Sequence, residues 1–572
     1  MSDLSQVWKQ LGTYVRGSWV HQKLNNRSIA GKVGCTLRKN GNGRLEKHSS
    51  SSKNLQQLLM NEELYFGMIE WGVCKEQNVW LTDDTAFYTE LYNQLGERAL
   101  KAENVKPVIA RLSKCDKFHP IQLFERLSNF YQRWCQGEFI DALPDANLPQ
   151  QKMAQLLAKN IMLGLRSVDI YTGLNVLILL LELHRYAQQF EELKQKIIFY
   201  PSGLPDTENF FTSQLLRVIN YSDSLEVGNF ASTVGEFLYN ANFSGAYLGD
   251  ANLTGVNFTG AILTGTYLGN ANFTGANFTT ANLSAANLGD ANLSGANFSN
   301  AILRRTDLSS TNFSGANLGG ANLIGADLSY ADLSSSNLDS ANLTGANLTG
   351  ANLRDAVISN AIFKRATCFG AFFSGANLEG ANLSQADLCR ADVSGVNLRD
   401  ANLTGINLSD SILFSANLQN ATLHAADLSY AKLSGTLFSG ANLKSCILLG
   451  ADLSGVNLTN VNLSEADLSG VNLSEADLQS ADLSEAVLCG TDMSYANLTA
   501  ANLSSSNLAG AIFTGADLRG ANLSYAILEG TDFSGANLEG IIWNENQSWE
   551  ETRGLDTALN VPVTLKQQLD LP

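Results

Sequence analysis

ANFTGANFTTANLSAANLGDANLSGANFSN, residues 271–300, falls into six blocks of five, and the same phase holds in both directions from it. Residues 241–540 make 60 consecutive blocks without an insertion or deletion. Taking the third residue of each block as its centre, Leu occupies 45 centres and Phe 11; Ile358, Cys368, Val393 and Met493 fill the rest. The first residue is Ala in 44 of the 60 blocks, and its replacements (Val, Thr, Ser, Ile, Cys) are of modest size. The second residue is mostly Asn or Asp, and the fourth and fifth are mostly polar or Gly.

A small and a large apolar residue two apart point to the same side of an extended chain, and the residue between them points away. A period of five suits neither a helix nor a simple strand, so the chain must turn once per block. Ser, Gly, Asn and Asp supply that turn. Repeated turning gives a coil whose backbone pairs with the coil above and below at about 4.8 Å. Pro is absent between Asp206 and Val561, as an uninterrupted ladder requires.

The blocks follow the pattern A(D/N)LXX, and residues 241–540 resemble the pentapeptide-repeat family over their whole length. That resemblance implies a right-handed quadrilateral β-helix with four blocks per coil, about 15 coils and a rod of roughly 70 Å. The centres sort by position modulo 20 onto four faces. Phe273, Phe313, Phe373, Phe513 and Phe533 share one face; Phe258, Phe278, Phe298 and Phe438 share a second; Phe243 and Phe363 share a third. Leu253, Phe258, Phe278, Phe298 and Leu388 are expected to be core centres. Phe258, Phe278 and Phe298 should stack on successive coils.

The least regular stretch is 356–375, AVISNAIFKRATCFGAFFSG. Phe369 and Phe372 fall in outward slots there, as do Lys364 and Arg365, and Arg304 and Arg305 share the phase of the last two, three coils earlier. These six residues are a candidate partner patch; drift within a repeat is the competing explanation. Past Gly540 the pattern stops. An open solenoid end needs a cap, for which Trp543 and Trp549 are the candidate plug, with a short helix over 562–569. The string from Trp543 through GLDTALNVPVTLKQQL resembles the tail of cyanobacterial pentapeptide-repeat proteins. The segment 230–238 is expected to cover the other end.

Ahead of the repeat, residues 1–235 read as a mainly helical domain with a small α+β start; 236–540 is the solenoid and 541–572 the cap. Residues 1–24 carry a helical spacing, and 28–45 read as short strands around Asn40-Gly41-Asn42-Gly43. Residues 49–52 read as a loop, and 64–81 is ambiguous between strand and helix. Thr82, Asp83 and Asp84 offer caps for a helix through Phe87, Leu91 and Leu95. Pro120 opens a helix with Leu123, Leu127, Phe130 and Trp134 on one face. Pro149 opens one with Met153, Leu157, Ile161 and Leu165. The longest helix is expected over 174–199, and the last over 207–219.

The net charge of −17 belongs to the repeat, which holds 25 acidic against 10 basic residues; elsewhere the count is 30 against 28. Residues 1–55 run the other way, with 10 basic and 2 acidic, without the aromatic interleaving or motif of a nucleic-acid reader. Eight cysteines lie at least 20 residues apart, so no CxxC pair exists and a reducing, cytoplasmic setting is expected. No signal peptide is visible, and the most apolar run, 176–181, is too short to span a membrane. His184 follows Glu182 but HExxH is absent, and Cys135 reads as a small buried hydrophobe. No metal, cofactor or catalytic constellation emerges. The expected function is a non-catalytic scaffold that presents the rod to a protein partner, with the N-terminal domain as recognition or regulatory module. One alternative is an acidic mimic of DNA that binds a topoisomerase. Against it, duplex DNA carries roughly 40 negative charges over 70 Å, whereas the rod has a net of −15. A second is an enzyme confined to residues 1–235.

Overall fold

The computed structural model describes residues 50–75, 79–80, 83–203 and 214–569. The expectations for 1–24 and 28–45 lie outside them. The chain divides into two compact units. One takes in the described residues of 1–94 with 100–126; the other takes in 95–99 with 127–569. The division therefore falls at 126/127 rather than at 235, and the later helices belong with the solenoid.

In the first unit, α1 (Ser50–Trp71) starts where a loop was expected and resolves the ambiguity at its far end in favour of helix. A two-residue antiparallel pair follows, β1 (Cys74–Lys75) with β2 (Val79–Trp80). In α2 (Asp84–Leu95), Asp83 caps through Oδ1, which accepts from the Ala86 amide at 2.7 Å. The helix α3 (Ala102–Leu112) was missed in the sequence. It contains Pro107, which reads as a breaker; Pro107 lies inside the helix and offers no amide to the Glu103 carbonyl four residues back. Arg126, near the start of α4 (Pro120–Cys135), lies 3.9 Å over the Phe87 ring and donates to the Trp71 carbonyl at 3.2 Å.

In the second unit, α5 (Leu148–Ala158) is capped by Asn147, whose side chain accepts from the Gln150 amide. Its buried face is Leu148, Lys152 and Leu156, not the expected Met153 and Leu157; Leu157 is exposed. The hub is α6 (Leu165–Ala187), which begins nine residues before the expected helix and ends twelve before its expected end. It has the length and hydropathy of a membrane span, unlike the short run read from sequence. In its most apolar window 89% is buried inside the protein, which makes it a core helix. Past Ala187 the chain folds back, so that His184 Nδ1 lies 3.1 Å from the Ile197 carbonyl and 3.3 Å from the Phe199 amide. Burial lowers the His184 pKa, keeping the imidazole neutral. Gly173 is obligatory on α6, because a Cβ there would lie 1.9 Å from the Trp134 ring. The helices α7 (Gln214–Asp223) and α8 (Asn229–Val234) lead into the repeat.

Arg185 joins helix to solenoid. Its guanidinium donates to the carbonyls of Phe237 at 2.7 Å and Tyr239 at 3.1 Å and pairs with Glu182 at 2.6 Å, all but buried. Phe230, Phe237 and Leu238 are buried, and the Asn257 amide donates to the Gly235 carbonyl at 3.0 Å. The segment 230–238 thus packs where the cover was expected.

Within the repeat, second residues of blocks twenty apart form parallel bridges, Asn242 with Ile262 through Asn522 with Ile542. These are isolated bridges, and no strand of two or more residues forms among the described residues of the repeat. The centre amide donates to the next rung at 2.6–2.9 Å, as from Phe278 to Asn297. The fifth residue of every block has positive φ; 28 of these are Gly and 32 are not. Repulsion between Cβ and carbonyl disfavours that geometry by about 1–2 kcal/mol per residue. The ladder thus holds 32 corners against local preference.

Where Thr, Ser or Cys replaces Ala at the first position, the group faces the core and finds a carbonyl. Thr266 Oγ1 donates to Phe243 at 3.0 Å, Ser506 Oγ to Leu503 at 2.7 Å and Cys446 Sγ to Leu423 at 2.9 Å. Between 436 and 471 five of eight first positions hold residues larger than Ala: Thr436, Cys446, Val456, Val461 and Val471. There the ladder parts. The amides of Leu433, Gly435, Phe438, Gly440 and Gly450 make no hydrogen bond to the next rung, and the bridge from Leu437 to Asn457 is missing, while the amides of Leu443, Ser445 and Leu448 keep theirs. On the Phe438 face Thr436 and Val456, both larger than Ala, are stacked at the first position of adjacent rungs; on the Leu433 face both first positions are Ala, and nothing in the packing there explains the parting.

Candidate interaction surface

The inward slots close on themselves. Leu253, Phe258, Phe278, Phe298 and Leu388 are all at most 1% exposed. Phe258 stacks on Phe278 at 5.1 Å and Phe278 on Phe298 at 4.6 Å; Phe513 and Phe533 do the same on another face. At the far end Trp549 is buried against Phe533, ring centroids 5.7 Å apart, while Trp543 is only half-buried. Leu565, on the short helix α9 (Val563–Gln568), is fully buried and was not singled out in the sequence. The plug is therefore Trp549 with Leu565, and Trp543 sits at its rim.

Most outward slots are occupied with one another. The second-position side chain folds over its own corner: Asn312 Oδ1 accepts from the Ser314 amide at 3.0 Å and from its hydroxyl at 2.7 Å. These amides also link rungs. Asn337 Nδ2 donates to Asn317 Oδ1 at 3.1 Å, Asn397 to Asn377 at 2.9 Å, and Asn417 to Asn397 at 3.1 Å. The Asn/Asp preference at this slot is therefore a hydrogen-bond requirement as well as an outward one.

Four corner tyrosines depart from this plan. Tyr330, Tyr430, Tyr495 and Tyr525 sit at the fifth position with φ of 57–64° and are largely exposed. The rings of Tyr330, Tyr430 and Tyr495 lie over Gly350, Gly450 and Gly515 of the next rung, where an added Cβ would meet ring carbon at 2.6–2.8 Å.

The expected patch is rearranged. Phe369 and Phe372 are exposed outward. Lys364 and Arg365 occupy the preceding corner, stacked in line with Arg304 and Arg305 three rungs away. The rings instead meet Arg354, 4.5 Å over Phe372, and Arg390, 5.8 Å from Phe369. Arg354 also donates to Ser374 Oγ at 3.2 Å, and Arg390 pairs with Asp410 at 3.7 Å. Arg354 and Phe372 are 18 residues apart, Arg390 and Phe369 are 21. Writing the sequence in rows of twenty would have brought both pairs together.

The helical region holds a cleft of about 710 Å³ lined by Trp134, Cys135, Asp141, Arg166, Arg217 and Tyr221, among others, with Asp169 on its buried floor. Trp134 Nε1 and Tyr221 OH each donate to Asp169 Oδ2 at 3.0 Å. Burial pushes the Cys135 thiol up to about 11, and burial together with Asp169 raises the Tyr221 phenol. Both stay protonated at neutral pH, so neither is an activated nucleophile. Among the described residues no group of three His, Cys, Asp or Glu is placed to hold a metal ion.

Parallel bridges at a fixed twenty-residue interval, small and large residues alternating inward, and a left-handed corner every five residues define a β-solenoid built from five-residue units. The family model "Pentapeptide repeats (8 copies)" matches residues 241–279 and 281–540, more than half of the chain. The chain belongs to the pentapeptide-repeat family, whose repeats imply a right-handed quadrilateral β-helix. No curated protein matches the chain. Among solved structures it is similar to HetL, a pentapeptide repeat protein involved in heterocyst differentiation regulation from the cyanobacterium Nostoc sp. strain PCC 7120. The identity is 32% over 41% of this chain and 90% of that one, with a TM-score of 0.20. A pentapeptide repeat protein from the Arabidopsis thaliana thylakoid lumen is 31% identical over 22% of this chain and 66% of its own, with a TM-score of 0.12. Rfr23 from the cyanobacterium Cyanothece 51142 is 27% identical over 27% and 86%, with a TM-score of 0.11. At such TM-scores these likenesses add no argument beyond the family.

Proposed function

We propose that residues 241–540 form a right-handed rod of about 15 four-sided rungs that acts in the cytoplasm as a non-catalytic scaffold for a protein partner. The helical N-terminal region serves as its recognition or regulatory module. The observation that carries this reading is the contrast on the rod's surface. Most second-position side chains are Asn or Asp engaged with their own corner or the next rung, whereas Phe369 and Phe372 stand exposed beneath arginines. The candidate patch is Phe369 and Phe372 with Arg354 and Arg390, flanked by Lys364, Arg365, Arg304 and Arg305.

The test is cross-linked affinity capture from cell extract with the full chain, compared with a Phe369→Ser/Phe372→Ser/Arg390→Ser variant. A partner retained by the native chain is expected; recovery of no specific protein under cross-linking would sink the scaffold reading.

A mimic of DNA is the second reading, and one observation favours it locally. Residues 451–540 hold twelve acidic residues and one base, Arg519. Four and a half rungs at about 4.8 Å span about 22 Å, over which duplex DNA carries about 13 negative charges. A gyrase supercoiling assay decides it: no inhibition or protection at micromolar chain removes this reading.

A further inference from the structure

One joint of the rod is closed on one side only. Among the described residues, the amides of all but two centres from Phe243 to Leu523 donate to the next rung; the exceptions are Leu433 and Phe438. Both belong to the rung 431–450, and the bonds that this rung keeps with 451–470 surround one corner. The Ser445 amide donates to the Ser464 carbonyl at 2.9 Å, the Leu443 and Leu448 amides to Asn462 and Asp467 at 2.8 Å, and the Asp467 amide to Cys446 at 2.8 Å. One step further out, the Asn462 amide reaches Ala441 only at 3.5 Å. Beyond that, the amides of Gly440 and Gly450 make no bond to the next rung, and neither does that of Gly435, two blocks from Ser445 and therefore at the opposite corner. Contact falls away from the Ser445 corner in both directions around the rung.

Side chains reinforce the same corner. Lys444 Nζ pairs with Glu465 Oε1 at 2.8 Å, and Ser445 Oγ donates to Glu465 Oε2 at 3.0 Å. The Lys444 carbonyl lies 3.1 Å from His424 Nδ1 on the rung before. On the parted side Lys432 and Asp452 face each other as bridge partners, both exposed, and among the described residues no ion pair joins them. A rung of four blocks packed on its own core moves as a plate, so opening at one corner parts both faces that flank it. Such a tilt accounts for the Leu433 face, whose own first positions are Ala431 and Ala451. The joints on either side are laced throughout. Leu413, Leu418, Leu423 and Leu428 donate into the rung 431–450, and Leu453, Leu458, Leu463 and Leu468 donate onward from 451–470. Each side is therefore a rigid body, and movement between the two concentrates where the bonds are already missing.

The joint also divides the rod by charge. Residues 241–450 hold 13 acidic and nine basic residues, and residues 451–540 hold twelve and one. We infer that this joint is a hinge: the rod bends about the Ser445 corner, opens and closes at Gly435, and swings the strongly acidic segment 451–540 against the mixed-charge segment 241–450. Closure supplies the bonds now missing at Leu433, Gly435, Phe438 and Gly440 and brings Lys432 to Asp452. The hinge makes the angle of the acidic segment adjustable. The inference goes beyond the scaffold reading and does not depend on the capture of a partner.

The test compares two corners of the full-length chain. Asp355 and Tyr495 lie on the Gly435 corner and Arg365 and Ser505 on the Ser445 corner, all four exposed. Each pair spans seven rungs, about 34 Å at 4.8 Å each, and crosses the joint. Nitroxides are attached through p-acetylphenylalanine at one pair or the other, which leaves the native cysteines untouched, and distances are read by double electron–electron resonance. The distribution should be at least twice as wide along the Gly435 corner as along the Ser445 corner. Ser434→Cys/Ser454→Cys then places thiols across the opened side, where the stacked Cα atoms of a closed joint, about 4.8 Å apart, suit a disulfide. Oxidation, verified by mass spectrometry of the linked peptide, should narrow the Gly435-corner distribution to the width of the other, and reduction should restore it. Equal widths in the two pairs, failure of the disulfide to form, or a width that the disulfide leaves unchanged overturns the inference. If the cysteine variant does not fold, Lys432→Glu replaces it. That change turns the attraction to Asp452 into repulsion and should move the Gly435-corner distribution to longer distances with the Ser445-corner distribution unmoved; no shift overturns the inference.

Discussion

The helices of the second unit and the solenoid that follows them solve the same problem, the pairing of buried polar groups, in opposite ways. In the helices each solution is singular. Arg185 ties two carbonyls to Glu182, Asp169 accepts from Trp134 and Tyr221, and Asn175 donates to the carbonyls of Leu95 and Arg98 at 2.8 and 2.7 Å. In the solenoid one solution is issued per block and repeated. The centre amide pairs with the next rung, the second-position side chain closes its own corner, and a hydroxyl in the first slot finds a carbonyl. A singular network fails when one member is lost, and a repeated one spreads the damage over its neighbours. The solenoid's sensitivity should therefore lie in its packing, and that of the helices in their polar contacts.

The largest expected effect tests the packing side. Leu388 is 1% exposed in a core one side chain thick. Leu388→Asp buries a carboxyl with no partner and should cost at least about 4 kcal/mol. Unfolding in urea followed by circular dichroism measures it; an unchanged midpoint would show that the centre is not held inward. Next comes the singular network. Arg185→Met keeps the bulk and leaves Glu182 and the Phe237 and Tyr239 carbonyls unpaired, for an expected loss of about 3 kcal/mol. A loss below about 1 kcal/mol, measured the same way, would erase the distinction drawn for the helices.

Two smaller effects probe where the repeated plan weakens. The amides of Gly435 and Phe438 lack the inter-rung bonds that their equivalents one rung earlier, Ser415 and Leu418, make at 3.1 and 2.8 Å. Hydrogen exchange should be at least tenfold faster at the former pair, a difference of about 1.4 kcal/mol in opening free energy. Val456→Ala should restore protection at Phe438. Equal protection in the native chain would mean that Val456 is accommodated. Asn397→Ala removes one donor and one acceptor from the ladder through Asn377 and Asn417. The expected loss is about 1 kcal/mol because these groups are half-exposed and water replaces them, well below the figure for Arg185.

The same contrast explains what could be read from the sequence. A five-residue period exposes the inward slots directly, since packing admits only a small residue at the first position and a large one at the third. The stacked column of Phe258, Phe278 and Phe298 follows from arithmetic modulo twenty. The arginines over Phe369 and Phe372 were legible by the same arithmetic and were passed over, because proximity in sequence favoured Lys364 and Arg365. In the helical region no arithmetic is available. The apolar spacing of Phe190, Leu193 and Ile197 continues that of α6, yet the chain turns back after Ala187 because Ile197 and Phe199 return to His184. Lys152 is buried on α5 and Leu157 is exposed, an inversion that only the tertiary surroundings impose.

The smallest effect has the opposite sign and concerns the corners. Ala500 sits at φ 57° with no side-chain bond to favour that geometry, unlike the Asn and Asp corners that tolerate it. Its neighbour at the same corner one rung on is Gly520, whose added Cβ would come no closer than 4.0 Å to Ala500. Ala500→Gly thus removes a methyl group from an exposed corner without opening a cavity. Relief of left-handed strain, about 1–2 kcal/mol, outweighs the extra freedom that Gly gives the unfolded chain, about 0.4–1 kcal/mol. Stability should rise by about 0.5–1 kcal/mol, read from the urea midpoint at constant slope. A fall would mean that non-glycine corners are not strained in this ladder. In that case the 32 of them would reflect relaxed geometry rather than a local cost that the repeated hydrogen bonds override.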